Sequence, residues 1–358
     1  MNIKKAVRKI AGFLPSQLSV MAYRMIGAKI GRNVKLGRGC DIAALSIEIG
    51  DDAVIGESSR IKCLRLKIGR NTLIGRDADM RVAGDLSIGS NSVFKDGMKA
   101  YCRELIIGDH MYSCDAVDYG YSSSSHESRI RIGDHCFVGS RTVINAEREV
   151  TIGNDVGIGS EVMIWTHGSW LPVLKGFPAN FAGVKIGSRA WIPSRVVILP
   201  GVEIGDDVVI SINSVVNKKI PSGSLAAGNP AQIVKESFFP REYNADRKTA
   251  VIKAVLEDYS VLLSDKGLTA DAGLLHPGAI WSRSFEKNKY TLIVTMGQAA
   301  SAAGSTTVYD IDSMTMSGSS NKYSEDLRDY LRKRGIKFFT DKRFVSIMPL
   351  DFKKLEQI

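Results

Sequence analysis

The 358-residue sequence contains no run of about 18 consecutive apolar residues, the length needed to cross a bilayer, so no membrane-spanning helix is expected. Cysteine is scarce: the five residues are odd in number and show no Cys-x-x-Cys spacing. This pattern indicates neither a disulfide framework nor a zinc site. A reducing cytoplasm is the expected location.

Acidic residues are missing from the first 40 positions, which carry nine lysines and arginines and thus nearly all of the net charge of +10. The rest of the chain is close to neutral, which argues against a broad nucleic-acid-binding surface. A secretory signal is not expected either, because Pro15 and Arg24 interrupt the apolar stretch.

Residues 1–27 are predicted to form a basic amphipathic segment of two helices. Pro15 ends the first, and Ser16 is expected to cap a second helix that ends near Gly27. Two roles are open. The helices could cover the open end of the next domain, or residues 1–26 could rest on anionic lipid at the inner face of the membrane.

An aliphatic residue followed by glycine recurs along the chain, at Ile30, Ile49, Ile55, Ile68, Ile74, Ile88, Ile107, Ile132, Val138, Ile152, Ile158, Ile186 and Ile204. The short step between these pairs is six residues and the usual long step is 18 to 20, so each long step is one coil of a three-sided prism. The aliphatic side chains are expected to point inward, and each glycine to turn a corner without a Cβ penalty. The pattern fits neither a right-handed solenoid nor a leucine-rich repeat. It predicts a mainly β fold, a left-handed parallel β-helix over residues 28–236.

Two long steps break this count, at 25 residues from Ile107 to Ile132 and at 34 from Ile152 to Ile186. Surplus residues must leave the prism as loops, and loops on a rigid scaffold often carry function. The first loop is expected to hold Asp115, Asp118, Tyr119, Tyr121, Ser122 to Ser125 and His126. The second is expected to hold Thr166, His167, Trp170, Pro172 and Phe177.

Residues 241–358 are predicted to form a small α/β accessory domain. A helix is expected over 246–263, strands over 292–296 and 306–311, and a closing hairpin of 336–339 with 344–347. Ser324 is expected to cap another helix that stops at Gly335. This domain could cover an acceptor site, recognise a carrier or stabilise an oligomer.

The stretch from Val184 to Lys235 contains, in order, Val-Lys-Ile-Gly, Ala-Trp-Ile, Val-Ile-Leu-Pro-Gly-Val-Glu-Ile-Gly-Asp, Ser-Val-Val, Ile-Pro and Ala-Gly-Asn-Pro-Ala. This order resembles the hexapeptide-repeat acetyltransferases, which include the galactoside, maltose, xenobiotic and polysaccharide O-acetyltransferases. The resemblance covers roughly residues 27–236. It implies a homotrimer that binds acetyl-CoA in clefts between neighbouring prisms and uses no metal.

The resemblance also implies a catalytic histidine before the Trp-containing coil, and His167 in Ile-Trp-Thr-His-Gly stands at that position. A sugar hydroxyl is a poor nucleophile at neutral pH, and a histidine can take its proton as it attacks a thioester. The alternative is an exposed loop histidine with no catalytic role.

Carried over in the same way, the family's CoA-binding positions fall on Trp191, Ser194, Ile212, Asn217, Lys218, Gln232 and Lys235. The two lysines can pair with phosphates, and the Ser194 backbone N–H is a candidate oxyanion donor. The sequence departs from the family at Pro193, where glycine is usual, and at Gln232, where a basic residue is common. Solvated surface charge remains the alternative for Lys218, and corner packing the alternative for Trp191.

Acceptor contacts are assigned to the first loop, at Asp115, Asp118, Tyr119, Tyr121 and His126. The string Asp-Tyr-Gly-Tyr at 118–121 resembles one in the sugar acetyltransferases, and acidic and aromatic groups suit sugar hydroxyls and ring faces. An ordinary turn is the alternative.

The predicted function is the transfer of an acetyl group from acetyl-CoA to a hydroxyl of a surface or capsular polysaccharide or its precursor. N-acetylation of an amino sugar and a non-catalytic trimeric assembly module remain alternatives. A γ-type carbonic anhydrase is disfavoured, because His126, His135 and His167 lack the close histidine pair that its zinc site uses. A nucleotide-sugar pyrophosphorylase is disfavoured because no long Gly-rich N-terminal domain precedes the prism.

Overall fold

The computed structural model describes residues 3–120, 125–268, 270, 278–297 and 304–349. The chain divides into two compact units, Met1–Arg241 and Glu242–Ile358, and each contains its own hydrophobic core. The predicted acceptor residue Tyr121 and the serines at 122–124 lie outside the described residues.

The first unit is a left-handed parallel β-helix with three faces, and this confirms the predicted fold. Face A consists of Lys29–Ile30, Ser46–Ile49, Arg65–Ile68, Asp85–Ile88, Glu104–Ile107, Arg129–Ile132, Val150–Ile152, Val184–Ile186 and Glu203–Ile204. Face B consists of Lys35–Leu36, Val54–Ile55, Leu73–Ile74, Val93–Phe94, Tyr112–Ser113, Phe137–Val138, Gly157–Ile158, Trp191–Ile192, Val209–Ile210, Leu225–Gly228 and Ala231–Lys235. Face C consists of Asp41–Ala43, Arg60–Lys62, Asp79–Val82, Lys99–Cys102, Asp118–Tyr119, Val143–Asn145, Met163–Trp165, Val197–Ile198 and Val215–Val216.

Successive coils stack in register, so equivalent residues form ladders along each face. Ile49, for example, pairs with Ile30 below it and Ile68 above it, and all the aliphatic residues of this ladder point into the core. The last strand of face B, Ala231–Lys235, runs antiparallel to Leu225–Gly228 and closes that end of the sheet.

The repeat glycines are required for a different reason from the one that the sequence suggested. Positive φ values fall two positions later, at residues such as Asp52 and Asn71, and not at Gly50 or Gly69. A Cβ on Gly50 would approach the backbone nitrogen of Arg70 in the next coil to 2.5 Å. The glycine therefore permits close stacking of coils, while the following Asn or Asp residues adopt the left-handed turn that they tolerate better than most.

The outward side chains differ between the faces. On face A they are charged or hydroxyl-bearing except at Ile106, and they follow the ladder Lys29, Glu48, Lys67, Ser87, Ile106, Arg131, Thr151, Lys185 and Glu203. On face B only the first is charged, in the ladder Lys35, Val54, Leu73, Val93, Tyr112, Phe137, Gly157, Trp191, Val209 and Leu225. Face A is thus suited to water, and face B presents an apolar stripe.

Helices α1 (Ile3–Ala11) and α2 (Ser16–Met25) cover the first coil. Tyr23 is fully buried, and its hydroxyl accepts a hydrogen bond from the Ile42 N–H at 2.9 Å. Ser16 does not cap α2, because its hydroxyl accepts from the Leu36 N–H of the prism while Pro15 precedes the helix. The two helices therefore form the end cap that the sequence left as one of two possibilities.

The second unit packs α3 (Ala245–Asp265) and α4 (Lys322–Arg332) with a four-stranded sheet. The strands, in sheet order, are Ala279–Phe285, Tyr290–Thr295, Thr306–Asp310 and Thr315–Gly318, and only the middle pair is parallel. Lys266 and Asp326 form a buried ion pair at 2.6 Å, and Tyr259 donates to the same carboxylate.

Two local predictions for this unit are wrong. Asn321, not Ser324, caps α4, since the Asn321 side chain accepts from backbone N–H groups in the first turn and Ser324 completes a reciprocal capping box. The segments 336–339 and 344–347 contain no strand. Instead, the fully buried Arg328 guanidinium donates hydrogen bonds to the backbone carbonyls of Phe338 and Arg343.

Candidate active site

Both loops leave the prism at the corner where the chain passes from face C to face A, which we call the CA corner. The first begins after the strand Asp118–Tyr119 and the second after Met163–Trp165. Only the corner segment 146–149 separates them, because Val143–Asn145 pairs with both strands. Stacking of the coils therefore brings together two segments that the sequence separates.

Thr166 fixes the root of the second loop. Its hydroxyl, fully buried, donates to the Asn145 carbonyl at 2.8 Å and accepts from the N–H groups of Glu147 and Arg148. The Ala182 N–H donates to the Thr166 carbonyl and closes the loop. The residue next to Thr166 is therefore held in a defined position although the loop projects from the prism.

His167 is that residue, and it lies in a short antiparallel pair, His167–Gly168 with Asn180–Phe181. Its imidazole stacks on the Phe181 ring, with 5.9 Å between the centroids and 20° between the planes. Trp165 contacts it edge-on at 6.2 Å. The ring is partly buried between these two aromatic groups.

The Nδ1 atom of His167 is buried and makes no hydrogen bond within the part of the chain that the structure describes. The Oδ1 atom of Asn145, whose strand neighbour is Trp165, is in the same state. Most buried polar atoms in proteins are hydrogen-bonded, and a catalytic role is one of the explanations for an exception. The position of the imidazole is thus fixed by contacts with aromatic rings, and its Nδ1 atom has no hydrogen-bond partner among the described residues.

Arg148 connects the two loops. Its Nε atom lies 2.8 Å from the Glu127 carboxylate, and its Nη1 atom donates to the Ser125 hydroxyl at the end of the first loop. Its guanidinium carbon also lies 5.3 Å from the centroid of the Phe181 ring. Arg148 therefore supports the ring on which His167 stacks.

The predicted acceptor residues do not form one group. Asp115 is exposed in a turn between faces B and C, while Asp118 points outward on face C, where burial raises the pKa of its carboxyl despite the opposing charge of Lys99. His126 is exposed and lies beside Glu127, the residue whose carboxylate pairs with Arg148.

The prediction for Tyr119 is wrong. Its side chain is fully buried inside the prism, and its hydroxyl donates to Ser113 at 2.9 Å. Burial raises the pKa of its phenol well above the usual range. Asp118 and Tyr119 form a face C strand, not a loop, so the first loop begins only at Gly120.

The predicted CoA positions lie on the last coils and divide between two corners. Trp191 is on face B, 44% exposed, and Ser194 and Ile212 follow at the corner between faces B and C. Asn217 and Lys218 lie at the CA corner of the last coil. Within one chain, Ser194 and His167 therefore lie on opposite sides of face C.

The remaining two positions extend this surface. Lys218 Nζ donates a hydrogen bond to the Gln232 side chain at 2.6 Å. Because glutamine is neutral, this contact does not neutralise the positive charge of Lys218. Lys235 lies 4.3 Å from the centroid of Phe238, and Arg241 stacks against the same ring at 3.6 Å. Two cations that flank one aromatic ring suit a ligand with both phosphates and a base.

Sequence reasoning missed Arg148, Phe181, Glu127 and Arg241. Arg148 follows a regular coil, and only its place between the two irregular long steps could have drawn attention to it. Arg241 lies beyond the last repeat and had no such signal. Within the described ranges, no group of three potential metal ligands and no helix able to span a bilayer is found.

Two family descriptions match the sequence. "Bacterial transferase hexapeptide (six repeats)" matches residues 183–218, and "Hexapeptide repeat of succinyl-transferase" matches residues 27–56 and 129–164. The first unit of this chain therefore contains the hexapeptide repeats that these two transferase descriptions define.

Among its relatives is the galactoside O-acetyltransferase of Escherichia coli (strain K12), which is 36% identical over 139 residues, or 36% of this chain and 63% of that protein. A hexapeptide-repeat acetyltransferase of Vibrio cholerae O1 biovar eltor, solved with acetyl coenzyme A, is 26% identical and has a TM-score of 0.28, covering 39% of this chain and 70% of that one. A galactoside acetyltransferase solved with coenzyme A is 28% identical with a TM-score of 0.33, covering 39% and 71%. The chain spans 59–65% of the length of the first curated relatives that it matches.

Proposed function

We propose that the protein transfers an acetyl group from acetyl-CoA to a sugar hydroxyl, with His167 as the general base. The observation that carries this proposal is the setting of His167. Its ring is fixed by Phe181 and Trp165 at the root of a loop, and neither ring nitrogen is hydrogen-bonded to a described residue. A relative that shares the repeats is named a galactoside O-acetyltransferase, which supports the same chemistry.

In this reaction His167 Nε2 accepts the proton of the hydroxyl as its oxygen attacks the thioester carbonyl. The new C–O bond gives a tetrahedral oxyanion, for which the Ser194 backbone N–H is our candidate donor. The C–S bond then breaks, and His167 returns the proton to the departing thiolate. General-base catalysis of this kind contributes a factor of about 10² to 10⁴ in rate.

The surface of the last coils fits a CoA thioester. Lys218, Lys235 and Arg241 offer positive charge for its phosphates, and Trp191 and Phe238 offer aromatic surfaces for its base. The groove beside the second loop fits a glycan, because Glu127, Arg129, Glu149 and Lys185 line it and alternate in charge.

This assignment requires a second copy of the chain. His167 and Ser194 lie on opposite sides of face C, so a thioester near Ser194 of one subunit reaches the histidine of another. The uncharged stripe of face B would be covered in such an assembly, which favours the homotrimer that the resemblance implies. We therefore propose that the site lies between subunits.

The first test compares purified wild-type protein with His167→Gln for CoA release from acetyl-CoA in the presence of mono- and oligosaccharide acceptors. Gln keeps the size and polarity of the side chain but cannot take the proton. We expect a loss of about 10² to 10⁴ in kcat with unchanged melting temperature. Equal turnover by a folded variant would refute the role of His167.

The second test identifies the product by mass spectrometry of cell-surface glycans with and without the protein. Mild alkali removes an O-acetyl ester and leaves an amide. Alkali-labile acetyl groups that disappear with His167→Gln are expected, and alkali-stable ones would favour N-acetylation. Loss of acetylation with the His167→Gln protein present would exclude a merely structural role.

A further inference from the structure

The end cap has an outer surface that no described residue covers. Five apolar side chains of α1, α2 and the turn between them are exposed, namely Ile10, Phe13, Leu18, Met21 and Met25. Phe13 and Met25 are 79% and 84% exposed, although residues of this type are usually buried. Leu18, Met21 and Met25 follow the spacing of a single helix face, opposite the buried Ser19, Val20 and Tyr23.

A groove beside α1 also has apolar walls. It runs between α1 and the first two CA corners, with apolar walls that include Ile26, Ala44 and Leu64. Leu45 stands at its edge and is 81% exposed. Lys5 and Arg8 of α1 line the same groove. Apolar walls with cations at the rim suit a molecule with both a hydrocarbon chain and a negative head.

The charge of this end is strongly positive after its ion pairs are counted. Arg8, Lys29 and Arg32 have carboxylate partners in Asp41, Glu48 and Asp51. A second set makes no ion pair with any residue that the structure describes: Lys5, Lys9, Arg24, Lys35 and Arg38. Arg24 donates only to the carbonyls of Ile30 and Gly31.

We infer that this end surface, formed by α1, α2 and the first two CA corners, binds the surface of an anionic lipid bilayer. The apolar side chains enter the region between headgroups and acyl chains, and the unpaired cations contact lipid phosphates. A second copy of the chain is a poorer occupant, because it would bring two surfaces of the same positive charge together. The inference is independent of the proposed reaction, since none of its residues belongs to the candidate active site.

Deletion of the helices is not a clean test, because Ala11, Val20 and Tyr23 are part of the prism core. Substitution of exposed side chains avoids this difficulty. The 358-residue chain is sedimented with vesicles of phosphatidylcholine alone or with about one third phosphatidylglycerol. Wild-type protein is expected to bind the anionic vesicles at least tenfold better, and to be released by 0.5 M salt.

Two variants of the end surface are compared with matched controls. Lys5→Glu/Lys9→Glu is expected to weaken binding at least about 25-fold, because loss of each lysine costs about fivefold and the new carboxylates are also repelled by the lipid phosphates. Lys248→Glu/Lys253→Glu on α3, which changes the net charge equally, is expected to retain at least half of the binding. Phe13→Ser/Met25→Ser is expected to lose binding, whereas Trp170→Ser/Leu174→Ser in the second loop, with side chains that are even more exposed, is expected to keep it.

Other outcomes would overturn the inference. Equal binding to neutral and anionic vesicles would remove the role of charge, and full binding by the Phe13→Ser/Met25→Ser variant would remove the role of the end surface. A lower molar mass of that variant in light scattering would show that a second copy covers the surface. The proposed acetyl transfer to a soluble acceptor would be unaffected by any of these results.

Discussion

The indole of Trp191 lies over Gly157 of the preceding coil, in the space that a side chain would fill. A Cβ on Gly157 would approach the indole Cε3 and Cζ3 atoms to 2.5 and 2.7 Å. The two residues are partners on the face B ladder, between Phe137 and Val209. Gly157 therefore sets the position of the most exposed aromatic ring on this face.

Gly157→Ala is expected to displace the indole and lower stability by about 1 to 3 kcal/mol, as overpacking does. With Trp191 at the proposed CoA surface, the KM for acetyl-CoA should rise while kcat changes little. Thermal unfolding and acetyl-CoA titrations measure the two effects. Gly168→Ala is the control for stability, since its Cβ would meet nothing within 4 Å. An unchanged KM in the Gly157 variant would separate Trp191 from thioester binding.

Arg148→Ala should lower kcat about tenfold through loss of support for Phe181, and it should leave the KM for acetyl-CoA unchanged. The decisive measurement is a double-mutant cycle with Phe181→Ala, in which the two effects should not add because both act on the position of His167. Arg65→Ala is the matched control, since Arg65 also pairs with a carboxylate, that of Asp85, but on face A and away from the proposed site. Additive losses would show that Arg148 acts independently of the ring.

Tyr119→Phe should lower the free energy of unfolding by about 1 kcal/mol, because the buried Ser113 hydroxyl loses its donor. Kinetic constants for the acceptor should stay at wild-type values, since the ring does not reach the surface. Urea denaturation and acceptor titration test the two statements. A raised acceptor KM with unchanged stability would restore the role that the sequence suggested for this residue.

Asp329 makes the stability of α4 depend on pH. Burial acts to raise the pKa of its carboxyl, but the charges of Arg332 and Lys333 and the hydrogen bonds from Lys333 and Ser346 outweigh burial, so the pKa is lowered. A lowered pKa in the folded state contributes stability above the unfolded pKa of about 3.9, and this contribution is lost as the pH falls through the folded value. The protection factors of the α4 amides, which compare their exchange rates with those of an unfolded chain at the same pH, should therefore fall below pH 4 in the wild-type protein.

In Asp329→Asn the fall of these protection factors below pH 4 should disappear, and α4 should already be less protected at pH 7. Asp312→Asn, at an exposed carboxylate of the same unit, provides the comparison. If the Asp329→Asn and wild-type proteins showed the same pH dependence, the ion pairs of Asp329 would not stabilise the helix.

The prism was predictable because its physical cause is periodic. An inward aliphatic residue and a close-stacking glycine recur at each turn, so spacing alone defines the coils. The same arithmetic would have placed Ser113 and Tyr119 inside, at six and twelve residues after Ile107. From the sequence, Tyr119 is assigned to a loop because a serine and a tyrosine, here joined by a hydrogen bond, occupy two inward positions that are usually aliphatic, and hydrophobicity does not show such an exchange.

The surroundings of His167 were less predictable. Its place at a loop root follows from the 34-residue step, but Phe181 and Arg148 reach it through a hairpin pair and a neighbouring coil. Such contacts depend on three-dimensional stacking and leave no period in the sequence. The cap of α4 shows a smaller version of the same problem: Asn321 and Ser324 are both good capping residues, and their reciprocal bonds decide which one begins the helix.

Because the coils are evenly spaced, the number of coils between two sites determines the distance between them along the prism axis. His167 lies on the CA corner of the seventh coil, and the apolar groove lies on the same edge at the first two. Six steps of about 4.8 Å give a height of about 29 Å between the first coil and the histidine. A prism standing on a bilayer by its cap would thus hold its reaction centre at a fixed distance from the lipid. Insertion of one coil in the regular, loop-free region between residues 49 and 107 would then favour acceptors that extend farther from the membrane. Removal of one coil would favour acceptors that lie closer to it.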